Sequence, residues 1–373
     1  MLDVVLRHLE ALVSFDTRNP PRRIGTGGIF DYLRAQLPGF RIDVTDHGAG
    51  AVSLLAVRGN PRRLFNVHLD TVPSSDAWSA DPLALRVRDD RAIGLGACDI
   101  KGAAAGLLHA ASVTTGDAAF LFSSDEEAND PRCIAGFLEA NRGAGGHGFT
   151  DAIVAEPTRC EAVLAHRGIS SVLLRFRGEA GHASGANALQ ANALHQAMRW
   201  GANALDLVQG EASARFGGLT GLRFNIGKVE GGIKANVIAP SAEVRFGFRP
   251  LPSHDIDQLH VRLGACATAG ALERYEETFR GPSLPAGASR QGDDATAEDH
   301  RLAARDLADA LDLPIGNAVD FWTEASLFSQ AGLTAFVYGP GDIAQAHTAD
   351  EWVALEQLRR YTESVTRILQ GTA

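Results

Sequence analysis

Five positions in this 373-residue chain combine metal-binding residue types with a regular spacing. They are His68 in Phe65-Asn66-Val67-His68-Leu69-Asp70, Asp99 in Gly96-Ala97-Cys98-Asp99-Ile100-Lys101-Gly102, Glu127 in Ser124-Asp125-Glu126-Glu127, Glu156 in Ala155-Glu156-Pro157, and His347 in Ala346-His347-Thr348. Gathered in one cleft, three carboxylates and two imidazoles would make too anionic a cluster to stand without cations. They are a suitable donor set for one or two divalent ions such as zinc. Asp70 and Glu126, each close in sequence to a candidate ligand, are left over for chemistry. A metal-dependent hydrolase is the reading that uses all seven residues.

The first four candidates follow one another at steps of 31, 28 and 29 residues, which suits one ligand per β-α unit. Asp99, the middle carboxylate, is the expected bridge between two ions. His68 with one acid would hold the first ion, and His347 with the other acid the second. Glu126 cannot readily share an ion with its neighbour Glu127 while facing the same way, so it is the expected general base, taking a proton from water and passing it to the leaving amine. Asp70 returns to the strand face of His68 and would orient that imidazole. Taken singly these residues have ordinary explanations. Asp99 would cap the following helix, Glu126-Glu127 would make a solvated turn, and Glu156-Pro157 is turn-forming in any case. The functional reading rests on their joint placement.

That placement requires a particular scaffold. Up to about residue 165, apolar runs at 51–57, 64–67, 119–123 and 151–155 alternate with helical patterns, and 100–113 reads as a buried helix. The alternation predicts an α/β sheet with helices on both faces. Ligands in such sheets lie beyond the carboxyl ends of strands, where His68, Glu126, Glu127 and Glu156 fall. Leu2, Val5, Leu9, Leu12 and Val13 recur at helical spacing at the N-terminus. From 167 to 281 the order becomes β-α-β-β-α-β: strand 169–177, helix 187–207, strands 221–229 and 237–248, helix 254–269 and strand 273–280. This is the split, ferredoxin-like unit, expected as an inserted lid or dimerisation domain. The Gly-, Pro-, Ser- and Asp-rich segment 281–294 would return the chain to the first domain. There helices 299–311, 324–331 and 354–369 and strand 334–338 follow. The expected division is therefore 1–166 with 282–373, and 167–281. His347 closes the site from 191 residues beyond Glu156.

A net charge of −10 argues against nucleic acid and anionic membranes as partners. Four scattered cysteines make no disulfide framework, the first turns are too charged for a signal peptide, and no apolar run is long enough to span a membrane. The expectation is a cytoplasmic protein. Gly94-Leu95-Gly96 fails as a dinucleotide fingerprint because Asp99 stands where the third glycine is needed. Cys98 has no evident base to make it a nucleophile and reads as a small buried residue.

The motifs His68-Leu69-Asp70-Thr71-Val72-Pro73, Gly96 to Gly102, Asp125-Glu126-Glu127 and Gly339-Pro340-Gly341 followed by Ala346-His347 resemble those of the co-catalytic zinc aminoacylase and deacylase family. That family includes acetylornithine and succinyl-diaminopimelate deacylases, aminoacylases and glutamate carboxypeptidases. The resemblance spans nearly the whole chain. It implies a zinc-exopeptidase-like catalytic domain, two divalent ions per subunit (zinc, with cobalt able to substitute), a homodimer, and ligands at His68, Asp99, Glu127, Glu156 and His347. It further implies a general base at Glu126 with Asp70 as helper to His68. His182 in Gly181-His182-Ala183-Ser184 resembles the lid histidine that stabilises the oxyanion, often across a dimer. Asn236, and Arg249 through a bidentate pair, resemble residues that bind a substrate carboxylate. Gly341 and Glu324 fall in motifs near the substrate. The stretch from Gly339 to His347 resembles most the branch acting on N-acetyl amino acids of arginine biosynthesis, which implies N-acetyl-L-citrulline, or alternatively N-acetyl-L-ornithine, as substrate. Asn129-Asp130-Pro131 and Trp322-Thr323-Glu324-Ala325 depart from the family's usual stretches at those places. A peptidase and a metal-binding sensor are the competing readings. The second leaves Glu126 and Asp70 without purpose.

Overall fold

The computed structural model describes residues 1–142, 146–286 and 295–371. Most of the expected return linker, residues 287–294, lies outside the described residues. The chain divides into two compact units. One is Met1–Leu164, Glu298–Asn317 and Thr323–Ala373, and the other is Ala165–Ala297 with Ala318–Trp322.

The first unit is built on a six-stranded mixed sheet in the order Arg41–Asp46, Val52–Arg58, Ala118–Ser123, Arg63–His68, Asp151–Val154, Thr334–Val337. The first two pairings are antiparallel and the remaining three parallel. Ala118–Ser123 is buried at every position, as expected of a strand covered on both faces. Leu2–Ser14, Gly102–Val113 and Leu355–Gln370 pack on one another and into the same core as Phe65, Phe120 and Phe122. The closeness of two of these helices depends on Gly106. A Cβ there would lie 2.9 Å from Tyr361, nearer than packed side chains approach. A small three-stranded sheet, Trp352–Ala354, Arg91–Ile93 and Arg86–Arg88, completes the unit.

Two differences from the sequence reading bear on the site. The helix expected at 100–113 starts at Gly102, because Ala97–Lys101 forms a separate turn in which Asp99 has non-helical backbone angles. The edge strand Arg41–Asp46 had no visible apolar run, since its exposed side chains are charged or polar and only alternate positions are half-buried.

The second unit has a four-stranded antiparallel sheet in the order Arg223–Gly231, Ser241–Arg249, Ile169–Arg177, Leu272–Gly281. With helices Ala193–Gly210 and Ile256–Ala265 between its strands, it has the split β-α-β-β-α-β order. Trp200 anchors its core: it is fully buried, meets Phe246 at 4.9 Å between ring centroids, and donates Nε1–H to Leu263 O at 2.8 Å. The helix expected from 187 begins properly at Ala193, because the Asn192 side chain accepts from the backbone N–H groups of Leu194 and His195. No helix among the described residues is long and apolar enough to cross a membrane.

Candidate metal centre

The carboxyl ends of the parallel strands converge on one cluster in the first unit. His68 is the last residue of its strand, Glu126 and Glu127 follow Ala118–Ser123 by a short turn, and Glu156 lies two residues past Asp151–Val154. Asp99 comes from the turn before helix Gly102–Val113, and His347 from the loop after Thr334–Val337.

Asp99 lies between the histidines. Its Oδ1 is 3.1 Å from His68 Nε2, and its Oδ2 is 3.4 Å from His347 Nε2. Glu156 Oε1 is 3.9 Å from His68 Nε2, and Glu127 Oε1 is 3.1 Å from His347 Nε2. This resolves the pairing left open by the sequence: His68, Asp99 and Glu156 form one triplet, and Asp99, Glu127 and His347 the other. Within each triplet one donor atom per residue lies within 4.8 Å of the others. Donors around a tetrahedral ion with bonds of ~2.1 Å stand about 3.4 Å apart, so both triplets have the right span. Glu156 Oε1 is also a buried acceptor with no hydrogen-bond donor. A cation would satisfy that atom, and the residues fit a divalent metal.

The electrostatics agree. Burial alone would lower the His68 imidazole, but its bonds to Asp70 and Asp99 and the nearby Glu156 hold it well above its ordinary pKa. Asp99 and Glu127 push His347 up to about 11. Burial and mutual repulsion raise Glu156 and Glu126 well above the carboxylate range. Burial opposes ionisation of Asp99, yet the two histidines hold it below its ordinary value. The side chains of His68, Asp99, Glu127 and Glu156 are at most 7% exposed, whereas His347 is 51% exposed and marks the open side.

Glu126 sits in the field of His68, Glu156 and Glu127, and its carboxylate makes no hydrogen bond among the described residues. Asp70 is fully buried. His68 Nδ1 is 3.1 Å from the Asp70 carbonyl and 3.5 Å from its Oδ1, while Asp70 Oδ2 accepts from Asn19 Nδ2 and from the backbone N–H of Glu127, both at 3.0 Å. Asp70 thus meets a histidine of the first triplet, through its backbone carbonyl and a longer carboxylate contact, and its carboxylate accepts from the backbone of an acid in the second. Asn19 was missed by sequence reading, because an asparagine before two prolines looks like a turn residue. Asp125, also unassigned, accepts from the Cys133 N–H at 2.9 Å, and burial pushes it up to about 6.

Glu324, expected near the substrate, lies in the first unit within the field of His68 and Asp70. It is 2% exposed and accepts from Ser123 Oγ–H, on the last residue of strand Ala118–Ser123, at 3.0 Å, and burial pushes its carboxyl up to about 8. Gly341 donates its N–H to Gln357 Oε1 at 2.5 Å, and a Cβ on it would come within 2.6 Å of Cys98 Sγ, beside Asp99. His182, Asn236 and Arg249 belong to the second unit. There His182 is exposed, with Nδ1 2.7 Å from Ser184 Oγ, and lies beside Asn236, whose carbonyl accepts the Ala183 N–H at 3.0 Å. Arg249 ends strand Ser241–Arg249.

Residues 64–371 match the model of peptidase family M20/M25/M40. The chain belongs to this family. It is 69% identical to the N-acetyl-L-citrulline deacetylase of Xanthomonas campestris pv. campestris, over all of this chain and 99% of that one. It is 31% identical to an acetylornithine deacetylase of Myxococcus xanthus, over 94% of this chain and 93% of the other. Among solved structures, an aminopeptidase PepT of Bacillus cereus has the same fold, with a TM-score of 0.73 at 17% identity, covering 100% of this chain and 99% of that one. This M20 chain is a metal-dependent amide hydrolase.

Proposed function

We propose that the protein removes the acetyl group of N-acetyl-L-citrulline, releasing acetate and L-citrulline as a step of arginine biosynthesis. The observation that carries this reading is the 69% identity, along the full chain, to an N-acetyl-L-citrulline deacetylase. The acetylornithine deacetylases stand at 28–31%.

In this proposal His68, Asp99 and Glu156 hold one divalent ion, and Asp99, Glu127 and His347 a second, zinc being the expected metal and cobalt a working substitute. Bound metal in such a setting lowers the pKa of water to about 7 and polarises a carbonyl oxygen. Glu126 takes a proton from the attacking water as the new C–O bond forms. It returns that proton to the amide nitrogen as the C–N bond breaks, so that the amine departs neutral. Asp70 keeps the His68 imidazole in the orientation and tautomer that leave Nε2 free to coordinate. His182 is assigned to the developing oxyanion, and Asn236 and Arg249 to the substrate's carboxylate. A cytoplasmic homodimer is part of the proposal. Its support is the apolar exposure of the second unit, with Met198 and Leu205 on helix Ala193–Gly210 at 65% and 55% and Ile233, just past the edge strand, at 75%.

Amine release from N-acetyl-L-citrulline, N-acetyl-L-ornithine and N-succinyl-diaminopimelate, each with added zinc or cobalt, tests the assignment. The highest kcat/KM is expected for N-acetyl-L-citrulline. A clear preference for N-acetyl-L-ornithine would overturn the citrulline assignment and keep the deacetylase. Release from none of the three would overturn both.

A further inference from the structure

Asp99 sits on a turn that cannot hold itself. Ala97–Lys101 is not α-helical at Asp99 (φ −122°, ψ 86°) or Ile100 (φ −144°, ψ 26°). Two backbone bonds close its ends, Ala97 N–H to Gly94 O at 3.0 Å and Lys101 N–H to Gly96 O at 2.7 Å. The N–H groups of Gly96, Cys98 and Asp99 are left pointing inward, and all three donate to one side chain, 252 to 255 residues away in sequence. Gly96 N–H reaches Glu351 Oε2 at 3.0 Å, and Cys98 and Asp99 N–H reach Oε1 at 2.8 and 2.9 Å. Glu351 is 2% exposed.

Its own place is fixed independently. The Glu351 carbonyl accepts the Gly94 N–H at 3.0 Å, and the next three residues, Trp352–Ala354, pair antiparallel with Arg91–Ile93. His347 lies four residues before Glu351 in the same segment. The fully buried Lys101 donates its Nζ to Phe15 O at 3.1 Å and lies in the field of Glu351. Neutral capping of three buried N–H groups needs only carbonyls or hydroxyls. A carboxyl group offers two acceptor oxygens on one rigid plane, so a single side chain takes all three N–H groups at once and fixes the direction of the backbone.

We infer that Glu351 is a positioning residue for the metal centre: it grips the backbone of the Asp99 turn so that the two Asp99 oxygens face His68 and His347. It also ties the turn to the segment that carries His347, so that Asp99 and His347, two of the three members of the second triplet, move together. The inference rests on the reading of Asp99 as the shared ligand, but the grip itself exists without metal.

The test compares wild type, E351Q and E351A, both metal-free and zinc-loaded. Amide hydrogen exchange at Cys98 and Asp99 in the metal-free proteins should be at least about tenfold faster in E351A, with the core strand Ala118–Ser123 unchanged. Zinc affinity, measured by chelator competition, should fall about 10- to 100-fold in E351A, the range seen when groups that orient ligands are removed. E351Q should fall between, because its amide keeps one accepting oxygen and turns a donor towards Gly96 N–H. Saturating zinc should restore most of kcat in E351Q, a rescue that general destabilisation would not give. Should E351A fail to fold, E351Q carries the comparison. Unchanged exchange at Cys98 and Asp99 in a folded variant would overturn the grip. Changed exchange with zinc affinity within twofold of wild type would overturn its role in positioning. Wild type that binds no zinc would refute the metal reading instead, and the exchange result would still decide the grip.

Discussion

Substituting Asp70 by Asn removes one charge while keeping the shape of a side chain on which two parts of the centre depend. Asp70 Oδ2 accepts two hydrogen bonds at 3.0 Å, from Asn19 and from the Glu127 backbone, and Oδ1 lies 3.5 Å from His68 Nδ1. An asparagine keeps the two stronger bonds only if its oxygen takes the Oδ2 place. Its NH2 then faces His68 Nδ1. Two donors cannot share that contact, so the imidazole either loses its side-chain partner or moves its proton to Nε2, the atom that faces Asp99. Removing such orienting partners costs 10- to 100-fold in metal affinity or activity. The Asp70 carbonyl at 3.1 Å still accepts from Nδ1 and favours the productive tautomer, which places D70N at the lower end, about tenfold or roughly 1.4 kcal/mol. D70A, which also frees Asn19 and Glu127, should lie at the upper end. Zinc titration against a competing chelator and kcat/KM at limiting and saturating zinc provide the assay. D70N that matches wild type within twofold in both would refute the argument that this carboxylate orients the imidazole.

E126Q should lower kcat by about 10²- to 10⁴-fold, the contribution typical of a general base, while retaining metal content; loss of metal together with activity would make Glu126 a ligand instead. Exhaustive chelation should abolish amine release, and zinc or cobalt should restore it; full activity without metal would remove the proposed mechanism. In the second unit, W200A should cost about 3–5 kcal/mol, because the indole is fully buried and donates to Leu263 O. Denaturation monitored by exchange in strand Ile169–Arg177 checks this, and a loss below about 1 kcal/mol would mean that the core repacks around the gap.

The parts of this fold that sequence reveals are those written as local pattern. Ala118–Ser123 is legible because a strand buried on both faces is an unbroken apolar run, and the acids beyond its end can be placed from that run alone. Edge strand Arg41–Asp46, half wetted and charged, carries no such run. The site shows the same division. Its residue types and their one-per-unit spacing can be read directly, but which acid joins which histidine depends on the turn of Asp99, whose angles no local pattern encodes. Asn19 and Glu351 act through backbone N–H groups, carbonyls and a single carboxylate, across 51 and 252 residues. Contacts of that kind leave no trace in spacing or composition.

The proposed metal centre depends most on one carboxylate, Asp99, serving two ions. Crystals of the zinc-loaded protein, with anomalous scattering measured at the zinc edge, test this directly. Two peaks are expected per chain, each about 2.0–2.2 Å from its carboxylate and imidazole donors. The first should be held by His68, Asp99 and Glu156, and the second by Asp99, Glu127 and His347. A single peak, or two peaks that do not share Asp99, would contradict it.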